Sequence, residues 1–321
     1  MSKPYPPTYK KVINVVMLTL TGIAALLVVS VLLFILGYLV WNGARSLNLN
    51  FFTKLPVPVG EKGGGMANAI LGTVKLLTLA SAIGVPIGLL GGIYLAEFGK
   101  GPFSFAVRYT TDLLNGVPSI VIGIFVYSLI VLPKLHPSLL ARLFPSYFGH
   151  FSTFAGGVAL GIMMIPIALR STDDFLRAVP NTLREGGLAL GASKAQTIVT
   201  VIIPAAMHGI VTGIMLDVAR VAGETAPLLF TAFGNVFWSH GWNGPTASLP
   251  VVIFNYAISP YTDWHRQAWA AGFVLLSGIF LTNIVARLLV SGKGSRSRSY
   301  RLRIPMAALD LFSGKRSRVR S

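Results

Sequence analysis

The sequence predicts an all-α polytopic membrane protein with about six transmembrane helices, and three observations carry that expectation. Of its 321 residues, 53% are hydrophobic and 12% charged, against about 25% charged in an average soluble domain. The deficit lies in long uncharged runs, several of which reach the roughly 20 apolar residues a helix needs to cross a bilayer. Lys and Arg then cluster between alternate runs, as they do where one set of loops stays in the cytoplasm. The net charge of +17 is therefore read as this bias and not as a nucleic-acid surface. There is no cysteine, which excludes disulfide frameworks, thiolate metal sites and thiol nucleophiles.

Taken in order, Lys3, Lys10 and Lys11 precede an uncharged run from Val12 to Ala44. A signal peptide has an apolar core of about 7–15 residues. This run is far longer, so the first span, Val12–Trp41, is expected to be a retained anchor. Residues 1–62 then comprise the anchor helix and first outer loop, and residues 63–290 the transmembrane core. Gly63–Gly65 is expected to be a flexible entry to the second span, Ala67–Leu95. Its single charge, Lys75, is expected to snorkel toward the headgroups. The third span, Leu113–Leu132, is uncharged. Inside it, Pro118 suits the first turn of a helix. The free N–H groups and the Ser119 hydroxyl there suit an anion, although a plain proline kink explains the same string. The fourth span, Ser152–Leu169, ends at Arg170, either a simple flank or a basic group at the exit of a pathway. The fifth begins between Ile198 and Ala205 and runs to Leu228, and the sixth is Gln267–Ala286. Thr225–Phe237 and Leu249–Ser259 are too short to span and fit re-entrant or interfacial segments. The tail 291–321, rich in Ser, Arg and Lys, reads as a disordered cytoplasmic flank or as a surface for anionic lipid.

Six spans put both termini on one side. Segments on that side carry nineteen basic residues against six on the other, with Lys75 and Arg220 inside spans. The ratio places both termini in the cytoplasm.

The fifth span carries Asp217, Arg220 and Glu224, whose spacing of three and four predicts a shared helix face. Ionisable groups in a span usually pair or face a cavity, and an Arg fork suits two phosphate oxygens. Arg220 is thus a candidate contact for an anion, with Glu224 to neutralise it when the anion is absent. An internal ion pair that only fixes helix packing accounts for the same residues. Gly60–Gly65 is no P-loop, since the string G-x-x-x-x-G-K-[ST] is absent from the chain. Any ATP chemistry must therefore belong to a partner. The five histidines have no metal-ligand spacing, and only Asp173–Asp174 among the acidic residues are adjacent. The aromatic outer loop 235–266 fits a membrane interface or the docking of a partner.

Asp173–Pro204 lies in the most basic internal loop. A helix capped by Asn181 is expected to break at Gly191, with Leu188, Leu190 and Ala192 around the break and a second helix from Ser193 into the fifth span. Such a bent pair is what a partner's groove can grip, or an ordinary connection. Its end, EGGLALGASKAQTIVTVIIP, resembles the EAA loop of ABC importer permeases, with Glu185, Gly191 and Pro204 on the motif's glutamate, glycine and proline. Gly186 and Gly187 stand where alanines are usual. At about 1 kcal/mol each relative to Ala, they imply a helix ordered mainly by docking.

Four further strings, GGMANAILGT (Gly64–Thr73), NGVPSIVIGIFVY (Asn115–Tyr127), MMIPIALRSTDDFLRAVP (Met163–Pro180) and ARVAGETAPLLFTA (Ala219–Ala232), resemble the phosphate permeases of that group. The resemblance covers Gly64–Ala286. It implies a MetI-like type I ABC importer permease fold and a non-enzymatic subunit that moves inorganic phosphate from periplasm to cytoplasm across a bacterial inner membrane. The implied partners are a homologous permease subunit, a cytoplasmic ATPase dimer that binds ATP-Mg, and a periplasmic phosphate-binding protein. No cofactor is implied in this chain. Glu185, Leu188, Gly191, Ala192 and Pro204 are the implied ATPase contacts, and Arg220, Glu224, Arg170 and Ser119 the candidate pathway. A permease for sulfate or molybdate is the nearest alternative, and a membrane-embedded enzyme or a secondary carrier the more distant ones.

Overall fold

The computed structural model describes residues 7–61, 63–132, 142 and 145–294, so the expected tail lies almost wholly outside the described residues. Five helices are long and apolar enough to cross a membrane, or six if one sharply bent pair counts as a span. They are α1 (Pro7–Ser46), α3 (Ala67–Glu97), α6 (Thr153–Arg177), α9 (Ile203–Ala222, continued from α8 (Lys194–Thr197) through a π-helical turn at Ile198–Ile202) and α12 (Thr262–Gly294). The bent pair is α4 (Pro102–Gly116) and α5 (Ser119–Val126), which continues as a π-turn over Tyr127–Val131. Short helices complete the fold: α2 (Leu49–Thr53), α7 (Asn181–Ala189), α10 (Ala226–Thr231) and α11 (Leu249–Ala257).

The centre of the bundle is a parallel pair, α3 against α6. Gly84, Gly88 and Gly92 form one stripe of α3, and a β-carbon on them would collide with Met164, Ala168 and Thr172 of α6. Gly157 and Gly161 of α6 meet Leu79 and Ile83 in return. Small residues at four-residue spacing let helices in lipid approach closely enough for packing and dispersion to hold them. α9 runs antiparallel to α6, with Gly213 against Ser171 and Gly209 against Phe175. Leu76, Leu160, Met164, Val221 and Leu228 fill the core between these elements. α1 stays outside it and packs chiefly on α12 among the described residues. Gly43 abuts Phe273 and Trp269, and Tyr38 stands edge-on to Trp269 at 5.2 Å.

Several expected boundaries change. The third span does not run straight from Leu113: α4 and α5 meet at 101° across Val117 and Pro118, because proline fixes its own φ and bars the residue before it from helical geometry. The fifth span starts earlier, at Lys194, and stops at Ala222 instead of Leu228. Gly223 ends α9, and α10 follows separately.

Gly64 and Gly65 are not a flexible entry. Gly65 N donates to Leu55 O at 3.0 Å, and a β-carbon on it would strike the carbonyls of Asn50 and Lys54. Lys75 does not snorkel to headgroups. Its Nζ donates to Ser239 O at 2.7 Å, which ties the start of α3 to the loop after α10. Asn68 Nδ2 to Asn235 O (2.7 Å) and Thr153 N to Gly244 O (2.9 Å) add to the same seam. One end of the bundle thus gathers the starts of α3 and α6 with the loop between α10 and α11. The other end gathers the ends of α3 and α6 with α7 and α8.

Candidate coupling face and pathway residues

α7 and α8 form the bent helix pair expected between Asp173 and Pro204. Pro180, and not Asn181, occupies the N-cap of α7. The chain leaves α7 through Leu190 and turns at Gly191, whose φ of +81° favours glycine. Ser193 then starts α8 with a full capping box: its Oγ accepts from Gln196 N at 3.3 Å, and Gln196 Oε1 accepts from Ser193 N at 2.8 Å. Ala192 is half-buried, and its N–H donates to Gly187 O at 3.2 Å. The π-turn that follows precedes Pro204, which has no N–H to offer the Thr200 carbonyl.

α7 buries none of its residues. Glu185, Leu183, Leu188 and Leu190 are all exposed, Leu190 at 91%. The geometry presents an apolar, singly acidic knob beside a fixed turn.

A cluster of charges lies behind this knob, at the end of α3. Arg184 bonds Glu97 through Nη2 at 2.7 Å and Nε at 3.2 Å. It also donates to Val179 O at 2.6 Å and to Leu176 O at 2.7 Å, the latter already accepting from Val179 N at 3.3 Å, where α6 ends. Lys194 Nζ donates to Glu97 O at 2.6 Å and lies over the Phe98 ring at 4.2 Å. Arg108 and Arg177 both donate to Leu95 O, at 2.9 and 3.0 Å, and both pair with the buried Asp173, at 3.1 and 2.7 Å. Four cations therefore meet the negative end of the α3 dipole.

The expected pathway residues are not gathered into one site. Arg170 is half-exposed and holds two carboxylates, Asp112 at 2.8 Å and Asp174 at 3.1 Å. The adjacent acidic pair is thus split, Asp173 serving Arg108 and Arg177 and Asp174 serving Arg170. Among the described residues no cluster of His, Asp or Glu is arranged for a metal. The trio expected on one helix face is only partly on it. Asp217 and Arg220 lie three apart on α9, Asp217 buried with neither carboxylate oxygen bonded among the described residues and Arg220 exposed, while Glu224 lies past the end of the helix. Among the described residues no ion pair joins Arg220 to Glu224, so the neutralising role expected of Glu224 has no such contact behind it. Ser119 is the first residue of α5, half-buried. A groove of about 500 Å³ between α3, α9 and α12 is lined by Leu77, Met215, Val218, Leu275 and Ile279, with no charged residue to attract an anion.

Glu97, Arg184 and Asp112 were missed as partners from the sequence alone. The pairs Arg170–Asp174 and Asp173–Arg177 were legible, being four apart on one helix. Arg184 and Glu97 are 87 residues apart, and only the packing of α3 on α6 brings them together.

The family model described as "Binding-protein-dependent transport system inner membrane component" matches residues 84–294. The chain is 40% identical over 279 residues to the phosphate transport system permease protein PstA of Yersinia pestis, covering 84% of this chain and 90% of that protein. It is 42% identical over 286 residues to PstA of Haemophilus influenzae, covering 89% and 96%. An archaeal relative, the probable PstA of Methanocaldococcus jannaschii, is 34% identical over 280 residues. Among solved structures, a chain of the inward-facing MetNI methionine ABC transporter aligns with a TM-score of 0.49 at 17% identity, covering 71% of this chain and 94% of that one. With a family match across most of the chain, and relatives matched over nearly their whole length, this multi-pass protein belongs to the inner membrane components of binding-protein-dependent transport systems.

Proposed function

We propose that this chain is the PstA-type permease subunit of an ATP-driven importer of inorganic phosphate. The observation that carries the reading is 40–42% identity to phosphate transport permeases across most of both chains. The exposed α7 knob and its Gly191 turn support it, because they are what a cleft in a separate ATPase can hold. The implied assembly is a PstC-like second permease, a PstB-like ATPase dimer that binds ATP-Mg and hydrolyses it, and a PstS-like phosphate-binding protein. This chain itself needs no cofactor. Both termini and α7 face the cytoplasm in this reading, and the loop between α10 and α11 faces the periplasm.

Phosphate released by the binding protein passes between the two permeases. Arg220, exposed and without an ion pair among the described residues, meets it first as a bidentate donor. Gly213 of α9 packs at the level of Ser171 of α6. Arg220 is seven residues further on, so at 1.5 Å per residue it stands roughly 10 Å nearer the outer end than Arg170. Arg170 is then the inner cation. Asp112 and Asp174, already bonded to it, compete with the anion and keep its binding weak enough for release. Ser119 and the free N–H groups opening α5 are further polar contacts on the route. ATP binding closes the partner ATPase on α7 and swings the bundle between outward and inward access.

Uptake of labelled phosphate into proteoliposomes holding all four components tests this reading. Arg220→Gln should cut phosphate uptake while leaving complex assembly intact. Gly191→Val, strained at positive φ, should cut uptake while basal ATP hydrolysis continues. Preferential uptake of sulfate or molybdate would reassign the substrate, and uptake driven by an ion gradient without the ATPase would reject the importer reading.

A further inference from the structure

α7 has no apolar core of its own. None of its residues is buried, yet in the proposed importer it receives the push of the ATPase. Its firmest link to the spanning helices is polar. Arg184 uses three nitrogens on Glu97, Val179 O and Leu176 O, in a setting where the Arg184 side chain is 21% exposed and that of Glu97 5%. A guanidinium fork on a carboxylate resists rotation as well as stretching. Removing one partner of such a buried pair leaves the other charge uncompensated. Lys194 repeats the link from the far side of the Gly191 turn, bonding the backbone carbonyl of the same Glu97. Glu97 is the last residue of α3, and α3 is locked to α6 through the glycine stripe. Both arms of the bent pair therefore converge on one residue at the end of the helix pair that forms the core.

We propose that Glu97 is the positioning residue through which the α7–α8 loop moves α3 and α6, with Arg184 and Lys194 as its two struts. The proposal rests on the reading of α7 as the ATPase contact and assigns the step after it. A displacement of α7 reaches α3 through the Arg184 fork on Glu97 and α6 through its bond to Leu176 O, and the glycine seam leaves the two helices no room to slide apart. Without the fork, α7 rocks against the bundle and ATP is spent without opening the pathway.

The test is the number of phosphate ions moved per ATP hydrolysed, measured in proteoliposomes with the complete importer. Glu97→Gln keeps the shape and removes the charge. It should lower the ratio by about fivefold or more, the low end of typical coupling between sites, while ATP hydrolysis persists. Arg184→Lys, which keeps the charge but loses the fork, should fall between Glu97→Gln and wild type. The chain has no native cysteine, so Glu97→Cys combined with Arg184→Cys gives a unique thiol pair. Its ratio should be low when the thiols are free and should recover when a short bifunctional thiol reagent bridges them.

A wild-type ratio for Glu97→Gln, or a bridged pair as uncoupled as the free one, would overturn the proposal. So would a variant that assembles poorly but transports at the wild-type ratio in the complexes that form, since the pair would then be structural only. Gly191→Val separates this from the reading beneath it. If it also leaves the ratio unchanged, α7 is not the ATPase contact. If it lowers the ratio while Glu97→Gln does not, only the role of Glu97 falls.

Discussion

Gly186 and Gly187 are neighbours with opposite tolerances. A β-carbon on Gly186 meets nothing within 4 Å, whereas one on Gly187 would lie 2.6 Å from Thr197 Cγ2. Thr197 is buried and its Oγ1 donates to Ser193 O at 3.1 Å, so it cannot turn aside without losing that bond. The sequence expectation that both glycines merely weaken α7 is thus half of the physics. Gly186→Ala should strengthen the helix by roughly 1 kcal/mol, seen as slower amide exchange over residues 181–190 with transport unchanged. Gly187→Ala should force α7 away from α8, speed exchange across both arms and reduce phosphate uptake, and Thr197→Ala should restore it by vacating the space. Equal behaviour of the two alanine variants would remove the close contact from the account. At this scale the sequence exposes residue type and short spacing only. It marks Gly191 as a turn, but it cannot say which of two adjacent glycines faces a neighbour.

Among the elements, the long spans were legible because length and apolarity suffice to define them: α1, α3 and α12 include their expected ranges, and α6 all of its own but Ser152, its N-cap. The break between α4 and α5 was legible in place and not in size: Pro118 marked a helix start or a kink, and α5 does begin at Ser119, but Leu113–Leu132 is uncharged on both sides and nothing in it gave the 101° bend. α4 itself was overlooked. Its exposed Phe105, Tyr109 and Leu113 recur every four residues, but Arg108 and Asp112 stand between them, and their ion pairs to α6 exist only in the folded chain. The α3–α6 seam is the element-scale feature most open to test. Gly88 faces Ala168 and the carbonyl of Ile165 with no space for a side chain. Overpacking a tight contact costs about 1–3 kcal/mol, and more where backbones must part. Gly88→Leu should lower the melting temperature of the detergent-purified complex. Gly22→Leu, in the open face of α1 where nothing lies within 4 Å, should leave it unchanged. Matching melting curves for the two would mean that the seam does not hold the pair together.

Over the whole molecule, the packing constrains the topology independently of charge. Successive contacts of Gly84, Gly88 and Gly92 with Met164, Ala168 and Thr172 advance in the same direction along both helices. α3 and α6 are therefore parallel and must end on the same side of the membrane, which requires a return crossing between them. The α4–α5 pair is the described segment that can supply it. The bent pair is short for the task, since α5 with its π-turn covers residues 119–131, about 20 Å at 1.5 Å per residue, against a hydrocarbon core of about 30 Å. α4 must then contribute depth or sit at the interface. In the proposed reading, the excess of basic residues at the end where α3 and α6 terminate sets that end in the cytoplasm. Because the chain lacks cysteine, single thiols report this directly. Thr182→Cys on α7 should resist a membrane-impermeant maleimide in intact cells and react once the membrane is opened. Glu61→Cys, exposed in the loop before α3, should react in intact cells. Labelling of both from outside would require the α4–α5 segment to turn back without crossing. Labelling of Thr182→Cys alone would invert the whole molecule, set the basic loops outside, and place α7 where no cytoplasmic ATPase can reach it.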